Sequence, residues 1–426
     1  MQKQNQRMLI IELNEFNPEF LEETSKKLRL QNIQKILNLK HTSTFTNEKK
    51  EFHGLDPWVQ WVSIHNGIPL SEHGVKRLGI KSSKSTNQIW NNLSKRKKIS
   101  WIVTGVMNSN LGSREGCISF FPDPWSSEEK AYPKELNNLL ELPRYVAKNY
   151  LSLNAVQLIK KSLKAFKFFL KIRNLNLSRI LFIKLIQSFF GPGLNIHTLT
   201  TLLDYLLVLY FCREKLNKNP DLSIIFLNHI AHLQHHFWLK SPNIHPQMEH
   251  GLRICDEIIE KLLKSVNDDK EKILIINALK QKRSGKEGIQ VYRQIDPRKV
   301  LKRLSVDDVD IEQNMTNDGT LTFKLESKAN RAFKILSKCH IDTGEKLFFV
   351  ERISKYKLFI QLNLNHNIEE GTLIINGNEF IPFYELFSNL IRTGSHIPDG
   401  DIFSKNIKIP DKMENHEIYQ YIYYSF

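Results

Sequence analysis

The chain has 426 residues, of which 41% are hydrophobic and 25% charged, so it is long enough to bury the core of an ordinary globular protein. Its four cysteines lie far apart and form no Cys-x-x-Cys pair, which argues against a zinc knuckle or a redox motif and predicts reduced, inert thiols. The formal net charge is +16 at pH 7, and no nucleic-acid-binding motif accompanies it.

The N-terminal residues are polar up to Arg7, and the apolar run that follows ends at Glu12. This run is too short for the apolar region of a secretory signal peptide. No uninterrupted apolar run approaches the ~20 residues that a transmembrane helix needs. We therefore expect a cytoplasmic protein.

The first part of the chain alternates between short apolar strands and helices. Residues 8–13 predict a strand, and residues 18–40 predict a helix because their leucines and isoleucines recur at helical spacing. A further helix is predicted to begin at Asp56-Pro57, where aspartate is a suitable N-cap and proline takes the first helical position. Gly67 supplies its end.

Later apolar segments complete the predicted sheet. Residues 99–106 predict a second strand, and residues 222–227 and 273–276 predict two more that are wholly apolar and so buried on both faces. Short apolar strands separated by helices are typical of an α/β fold with a mostly parallel sheet flanked by helices.

Residues 125–220 interrupt this alternation with a long helical section, which we interpret as an inserted cap. Within it, residues 151–190 contain eight basic residues and no acidic one, with apolar residues at roughly helical spacing. Two interpretations stay open: a solvated basic face on a cap that covers the core, or a surface that contacts an anionic membrane or another polyanion. The basic residues are Lys160, Lys161, Lys164, Lys167, Lys171, Arg173, Arg179 and Lys184.

The C-terminal part has a different pattern of apolar and polar residues. Alternating stretches at 321–325, 357–362 and 372–375 predict strands, and Asn376-Gly377 predicts a turn. We therefore divide the chain into a first half of the α/β core at 1–124, the basic helical cap at 125–220, the second half of the core at 221–285, and a β-rich part at 286–426 that returns to the core.

Three places carry candidate functional residues. Glu12 lies at the exit of the first predicted strand, the end at which an α/β sheet opens its ligand crevice. Residues 228–236 follow a buried strand and are rich in histidine, and a helix there places Asn228, His232 and either His235 or His236 on one face, at a spacing that suits a shared metal. His396 lies in a loop punctuated by glycine and proline.

The predicted helix that begins at Asp56 is a further candidate. Its N-terminus offers unbonded N–H groups and the positive end of the helix dipole, which suits a phosphate or a sulfate.

The order of these motifs resembles that of the alkaline phosphatase superfamily. A carboxylate after the first strand, a helix that ends in glycine, a histidine four residues into a later helix and a Gly-x-His near the C-terminus follow one another between Leu9 and Gly400. The type I phosphodiesterase and nucleotide pyrophosphatase branch is the most similar. The resemblance implies two divalent metals, commonly zinc, and a Ser, Thr or modified Cys nucleophile at a helix N-terminus that cleaves phosphate or sulfate esters.

The same resemblance suggests a set of metal ligands. Glu12 corresponds to the N-terminal metal aspartate, and His232 and His396 correspond to two histidines of one metal site. Asn228 and Asn277 take positions where the family has aspartates. These amides weaken metal binding, because a neutral amide is a poorer ligand than a carboxylate.

The nucleophile departs further from the family pattern, because Pro57 occupies its position and Ala278 replaces a histidine ligand. Three alternatives stay open: Asp56 attacks or holds a metal, Ser63 attacks, or a metal-bound water or a hydroxyl of the substrate attacks without a covalent step.

We therefore expect a hydrolase or transferase that depends on a divalent metal, zinc or manganese, and acts on a phosphate or sulfate ester. The esterified molecule could be a sugar or a glycan-lipid precursor at the inner membrane face. The alternative is a catalytically inactive binding protein of the same fold.

Overall fold

The computed structural model describes residues 6–50, 54–78, 88–126, 128–149, 151–239, 241, 243–285, 288–314 and 317–426. By contacts the chain divides into two compact units. The first comprises Met1–Arg144, Ile159–Arg283 and Thr393–Phe426, and the second comprises Tyr145–Leu158 and Ser284–Arg392.

The strands, in chain order, are β1 (Met8–Leu13), β2 (Lys40–Phe45), β3 (Trp101–Thr104), β4 (Cys117–Phe121), β5 (Leu222–Leu227), β6 (Lys272–Ile276), β7 (Lys280–Arg283), β8 (Tyr292–Gln294), β9 (Val309–Gln313), β10 (Asp318–Phe323), β11 (His340–Ile341), β12 (Phe348–Ser354), β13 (Lys357–Leu362), β14 (Leu373–Asn376), β15 (Glu379–Pro382), β16 (Phe387–Asn389), β17 (Gly394–Ile397), β18 (Asp399–Lys405) and β19 (Lys412–Glu414).

The α-helices are α1 (Pro18–Leu28), α2 (Gln31–Leu37), α3 (Pro57–Asn66), α4 (Leu70–His73), α5 (Ile89–Lys97), α6 (Asn137–Asn149), α7 (Ala155–Phe169), α8 (Leu175–Phe190), α9 (Ile196–Lys218), α10 (His229–Phe237), α11 (Pro246–Lys264), α12 (Pro297–Arg303), α13 (Glu326–Leu336), α14 (Phe383–Leu386) and α15 (Ile418–Tyr423).

The first unit is built on an eight-stranded sheet in the order β19-β2-β18-β6-β1-β5-β3-β4. The block β6-β1-β5-β3-β4 is parallel throughout. Strand β18 is antiparallel to both of its neighbours, and β19 is parallel to β2. Every strand but β18 therefore runs in one direction, which confirms the predicted α/β class.

Helices cover both faces of this sheet. On one face, alternate residues of β1 such as Leu9 and Ile11 join a core cluster with apolar residues of α1, α2, α9 and α11. On the other face, Trp61 of α3 contacts Phe226 with a ring-centroid distance of 5.6 Å. The apolar strands predicted at 222–227 and 273–276 form β5 and β6, buried as expected.

The helix predicted at 18–40 is two helices and the start of a strand. Arg29 has a left-handed backbone, with φ 58°, and its N–H and that of Leu30 bond back to carbonyls of the last turn of α1. This local arrangement ends α1, and the chain restarts as α2. Helix α3 matches its prediction, with Pro57 first and Gly67 at φ 69° after its last residue.

The predicted helical section contains α6 to α9, of which α9 packs on the sheet and on α11. None of the helices formed by the described residues has both the length and the apolar character needed to cross a bilayer.

The second unit is rich in antiparallel strands, as its alternating sequence predicts. Strands β12, β13, β10 and β9 form one sheet, and β11, β14 and β15 form another. The turn predicted at Asn376-Gly377 joins β14 to β15, and Gly377 takes the left-handed conformation with φ 64°.

Candidate functional site

The carboxyl ends of the central strands β1, β5 and β6 meet at one edge of the sheet. Immediately beyond this edge lie Asn14, Asn228 and Asn277, one after each strand. The N–H of Glu15 donates to the carbonyl of Asn277 at 3.0 Å, which holds the residue after Asn14 at the same edge. Glu15 takes a left-handed backbone with φ 51°, an uncommon conformation for a residue other than glycine and one that clusters at functional sites.

Glu15 is the centre of a buried group with two histidines. Its Oε2 atom lies 3.0 Å from Nε2 of His235 and 3.0 Å from Nε2 of His396. The two Nε2 atoms are 3.3 Å apart. Three ligand atoms of the kinds that bind divalent metals therefore converge on one point.

Two neighbours hold the Glu15 carboxylate in this position. Gln281 donates from Nε2 to Oε2 of Glu15 at 2.6 Å, and Asn14 donates from Nδ2 to Oε1 at 2.9 Å. Asn14 also donates to Asn228 and accepts from the Trp61 indole, so its amide is fixed on both sides. The orientation of the carboxylate is therefore set by the surrounding protein.

The tautomer of His235 follows from its second ring nitrogen. Nδ1 lies 3.0 Å from the carbonyl oxygen of Gly394, which only accepts, so Nδ1 carries a hydrogen and donates it. In a neutral ring, Nε2 is then an acceptor that faces the acceptor Oε2 of Glu15. Such an arrangement requires a cation between them, either a proton or a metal ion.

The ionisation state of Glu15 is consistent with a cation between Glu15 and His235. Burial alone would raise the pKa of the Glu15 carboxyl. The charges of His396 and His235 and the hydrogen bonds from both rings outweigh burial and hold this pKa well below its ordinary value. The carboxylate is therefore ionised at neutral pH.

Secondary structure positions both histidines. His235 lies in α10, which begins directly after β5, and His396 lies in β17, where it is paired with Gln281 of β7. Gly394 precedes it, and a Cβ atom there would lie 2.1 Å from Oε1 of Gln281. A larger residue at 394 would therefore displace the glutamine that holds Glu15.

A second group of ligand atoms lies on the adjacent face of α10. Nδ1 of His197 and Nε2 of His232 are 2.8 Å apart, and the His236 ring lies 4.8 Å from that of His232. All three imidazoles are partly buried and have ligand nitrogens within 4.8 Å of one another. Burial, followed by the charge of His245, lowers the pKa of His197 below its ordinary value, which favours the neutral form that binds metals.

Glu12 has a different place from the one predicted. It is still inside the sheet, opposite Phe226 of β5 and Ile276 of β6, and its side chain is 1% exposed. Its Oε1 atom lies 2.6 Å from Nε2 of His65 in α3. The carboxylate that reaches the crevice is Glu15, because the chain leaves the sheet only after Leu13.

The other predicted ligands are also distributed differently. Among the described residues, His232 belongs to one group of ligand atoms and His396 to the other, so the structure does not bring these two together. Asn228 bonds Asn14 through its side chain.

Asn277 ties β6 to β18. Its Nδ2 atom donates to the Phe16 carbonyl at 2.9 Å, and its Oδ1 atom accepts from the N–H of Asp401 at 2.7 Å. These bonds occupy both ends of the amide, which is buried.

Asp56 and Ser63 occupy opposite parts of α3. Asp56 is the N-cap residue and is half-buried, without a side-chain cap hydrogen bond. Ser63 is buried inside the helix, with its hydroxyl 3.0 Å from Nε2 of His73. Nδ1 of His73 accepts from the N–H of Val75, and burial lowers the pKa of His73 to about 4, so Nε2 carries the hydrogen. His73 therefore donates to Ser63 and cannot take its proton.

We predict that Ser63→Ala lowers the free energy of unfolding by about 1 kcal/mol, the value of one hydrogen bond, and leaves any turnover of an aryl phosphate within about two-fold of wild type. Turnover of an aryl phosphate and a chemical unfolding curve on the same preparation check this. A loss of turnover beyond about 100-fold with unchanged stability would instead identify Ser63 as the nucleophile.

Sequence reasoning missed Glu15, Gln281 and His197. The polar pair Asn14-Glu15 directly after the first strand was a usable signal, since residues beyond a strand end line the crevice. His197 gave no such signal, because it lies in the helical section, far from the histidines of α10 in sequence.

No protein-family model matches the chain, and no curated protein matches its sequence. Solved structures are similar to it at low identity. Murine ectonucleotide pyrophosphatase/phosphodiesterase 5, an inactive form in complex with AMP, is 10% identical, with 99% of this chain and 94% of that chain covered and a TM-score of 0.44. Phosphonoacetate hydrolase from Sinorhizobium meliloti 1021 in complex with phosphonoacetate is 10% identical, with 99% and 95% covered and a TM-score of 0.45.

Proposed function

We propose that the protein is a metal-dependent hydrolase or transferase that acts on a phosphate or sulfate ester, with Glu15, His235 and His396 as ligands of one divalent ion. The observation that carries this proposal is the convergence of both Nε2 atoms on one oxygen of Glu15, at 3.0 Å each. Ligand atoms around a tetrahedral zinc ion are about 3.3 Å apart, so the group needs little rearrangement to hold one. When bound, the ion supplies positive charge that polarises an ester oxygen.

The donor set suits zinc or manganese. Two imidazoles and one carboxylate form a mixed nitrogen and oxygen set, which both ions accept. Gln281 and Asn14 restrain the carboxylate, and the Gly394 carbonyl fixes the His235 ring. A set of ligands held in place before the ion arrives loses little conformational freedom on binding.

We propose a second ion at His197, His232 and His236. Three imidazoles within reach of one another form a donor set for zinc, and their partial burial leaves a route for the ion from solvent. Two such groups on neighbouring faces of α10 would accommodate the two metals that the family resemblance implies.

We predict that His197→Ala lowers the number of zinc ions bound per chain from two to one, because it removes a ligand of the three-histidine group only. Metal analysis after gel filtration measures this number. His366→Ala, which changes an exposed histidine of the second unit, serves as the control and should bind as many ions as wild type. An unchanged stoichiometry in His197→Ala would exclude the second ion.

The substrate that we favour is a phosphorylated or sulfated sugar, or a glycan precursor carried on a lipid. The support for a lipid-linked substrate is the basic, apolar character of residues 151–190.

The four cysteines are unpaired, which is consistent with a reducing compartment, and we place the protein in the cytoplasm.

The proposal is tested by loading the protein with zinc or manganese and assaying an aryl phosphate, an aryl phosphodiester and an aryl sulfate. We expect hydrolysis of one of these classes that a chelator abolishes and the metal restores. Bound metal without turnover of any class would reject the catalytic part of the proposal.

The alternative is an inactive binding protein of the same fold. Pro57 at the position of the family nucleophile and the structural hydrogen bonds of Asn277 favour it. It predicts that a phosphorylated ligand binds to the metal-loaded protein without being cleaved, which calorimetry with a non-hydrolysable phosphonate detects.

A further inference from the structure

Helix α8 and the part of α7 that belongs to the first unit, from Ile159 onward, each expose a continuous apolar stripe. On α7, the exposed apolar residues follow one another at intervals of three or four and so lie on one face. They are Ile159, Leu163 and Phe166, followed by Leu170 just after the end of the helix. On α8, the outward residues are Phe182, Ile183, Ile186, Phe189 and Phe190. These side chains are between 42% and 81% exposed. We call them together the apolar face.

The apolar face is not an unpacked part of the core. The other sides of the same helices are buried: Ala165 and Phe168 of α7 and Leu177 of α8 are 5% exposed or less. Phe168 packs against Tyr210 of α9, and Lys184 of α8 pairs with Glu257 of α11 at 2.6 Å. The two helices are thus attached to the unit on one side, and their outer sides present large apolar side chains to solvent.

Basic side chains accompany this face. Lys161 and Lys164 pair with Glu141, whereas Lys160, Lys167 and Arg179 are exposed. Residues 151–190 contain no acidic residue, and five of their eight basic residues pair with glutamates outside the segment: Glu135, Glu141 and Glu257. The positive charge exposed next to the apolar face is therefore that of Lys160, Lys167 and Arg179. Apolar residues flanked by lysine and arginine form the pattern of a helix that lies in the interface of an anionic bilayer.

We infer that α7 and α8 dock peripherally on an anionic lipid bilayer, with the apolar face in the interface and the exposed basic residues on the lipid phosphates. A second copy of the chain is a poorer occupant, because two such faces would bring like charges together. No helix of the described residues spans a bilayer, so the contact is superficial. This inference does not depend on the metal site, although it would bring a lipid-linked substrate to the protein.

Cosedimentation with phosphatidylcholine vesicles tests it. We expect the full chain to bind vesicles that contain about 30% phosphatidylglycerol at least ~10-fold more tightly than pure phosphatidylcholine vesicles. Raising the salt from about 0.1 M to about 0.5 M should weaken this binding, because the Debye length shortens. Equal binding to both kinds of vesicle, or binding to neither, would overturn the inference.

Two double variants separate the contributions. Phe182→Glu with Phe189→Glu removes two exposed aromatic anchors, and Lys160→Glu with Lys167→Glu reverses two exposed charges. Each should reduce binding to anionic vesicles at least ~10-fold.

The matched controls lie in the second unit. Phe380→Glu changes an aromatic residue that is 63% exposed, and Lys334→Glu with Lys338→Glu reverses two exposed lysines. These should bind vesicles as wild type does, and an equal loss in them would contradict the inference.

Two further measurements, metal stoichiometry and oligomeric state, distinguish membrane binding from metal binding and from dimerisation. Metal stoichiometry should be unchanged in the α7 and α8 variants, so loss of vesicle binding with full metal content concerns the membrane face alone. Light scattering after gel filtration reports the oligomeric state. A dimer that Phe182→Glu with Phe189→Glu converts to a monomer would assign the apolar face to a second copy and reject the membrane.

Discussion

Glu15→Gln should reduce zinc affinity at the Glu15, His235 and His396 group by at least about 100-fold and abolish any metal-dependent turnover. The substitution keeps the size of the side chain and removes its negative charge. The Nε2 atoms of His235 and His396 each lie 3.0 Å from one oxygen of this side chain. The neutral amide therefore removes the negative charge that both imidazoles contact. Isothermal titration with zinc measures the affinity.

Glu19→Gln is the matched control, since Glu19 is an exposed carboxylate four residues further along the chain. It should bind zinc as wild type does. His396→Ala provides an independent test, because it removes a ligand from a different part of the chain. Wild-type zinc affinity in both Glu15→Gln and His396→Ala would show that the group does not hold the ion. Loss of affinity with unchanged turnover would instead separate the metal from the chemistry.

The sequence allowed the frame of the fold to be predicted because hydrophobicity and helix signals are local. Wholly apolar segments at 222–227 and 273–276 became the buried strands β5 and β6, and Asp56-Pro57 with Gly67 bounded α3. The break between α1 and α2 escaped prediction, since it depends on the left-handed conformation of Arg29, a residue with no special preference for it.

The predicted carboxylate, Glu12, and the carboxylate of the candidate site, Glu15, lie three residues apart, and this offset has a physical reason. A strand buried on both faces shows no alternation of polar and apolar residues, so the sequence does not reveal where the sheet ends. Only the register of β1 against β5 and β6 shows that Glu12 is inside the sheet and Glu15 beyond it.

Similarly, the rotational phase of α10 decides which histidine meets Glu15. His235 points to Glu15, and His232 and His236 point to His197. Neighbouring residues of a helix differ by about 100° in direction, so this assignment needs the packing of α10.

Glu12→Ala should destabilise the first unit by about 3–5 kcal/mol while leaving zinc binding intact. Glu12 and His65 are each 1% exposed and form a hydrogen-bonded pair beside Trp61 and Trp90. Removing the carboxylate leaves the imidazole buried without its partner. Urea unfolding followed by tryptophan fluorescence measures the loss.

The same unfolding curves decide between a structural and a metal-binding role for Glu12. An ion that binds only the folded state stabilises it by an amount set by its concentration and dissociation constant. If Glu12 is structural, zinc should stabilise Glu12→Ala by as much as it stabilises wild type. If Glu12 is a ligand, this increment disappears. Glu12→Gln, which keeps an acceptor for His65, provides the same comparison in a more stable protein.

The apolar double variant Glu12→Leu with His65→Leu tests the structural role of Glu12 in a second way. Replacing a buried pair by side chains of similar volume is often neutral, because neither polar group is then left without a partner. We expect this variant to recover most of the stability lost in Glu12→Ala and to bind zinc normally. Recovery of stability with normal zinc binding would assign Glu12 to the packing between β1 and α3 and leave Glu15 as the metal carboxylate.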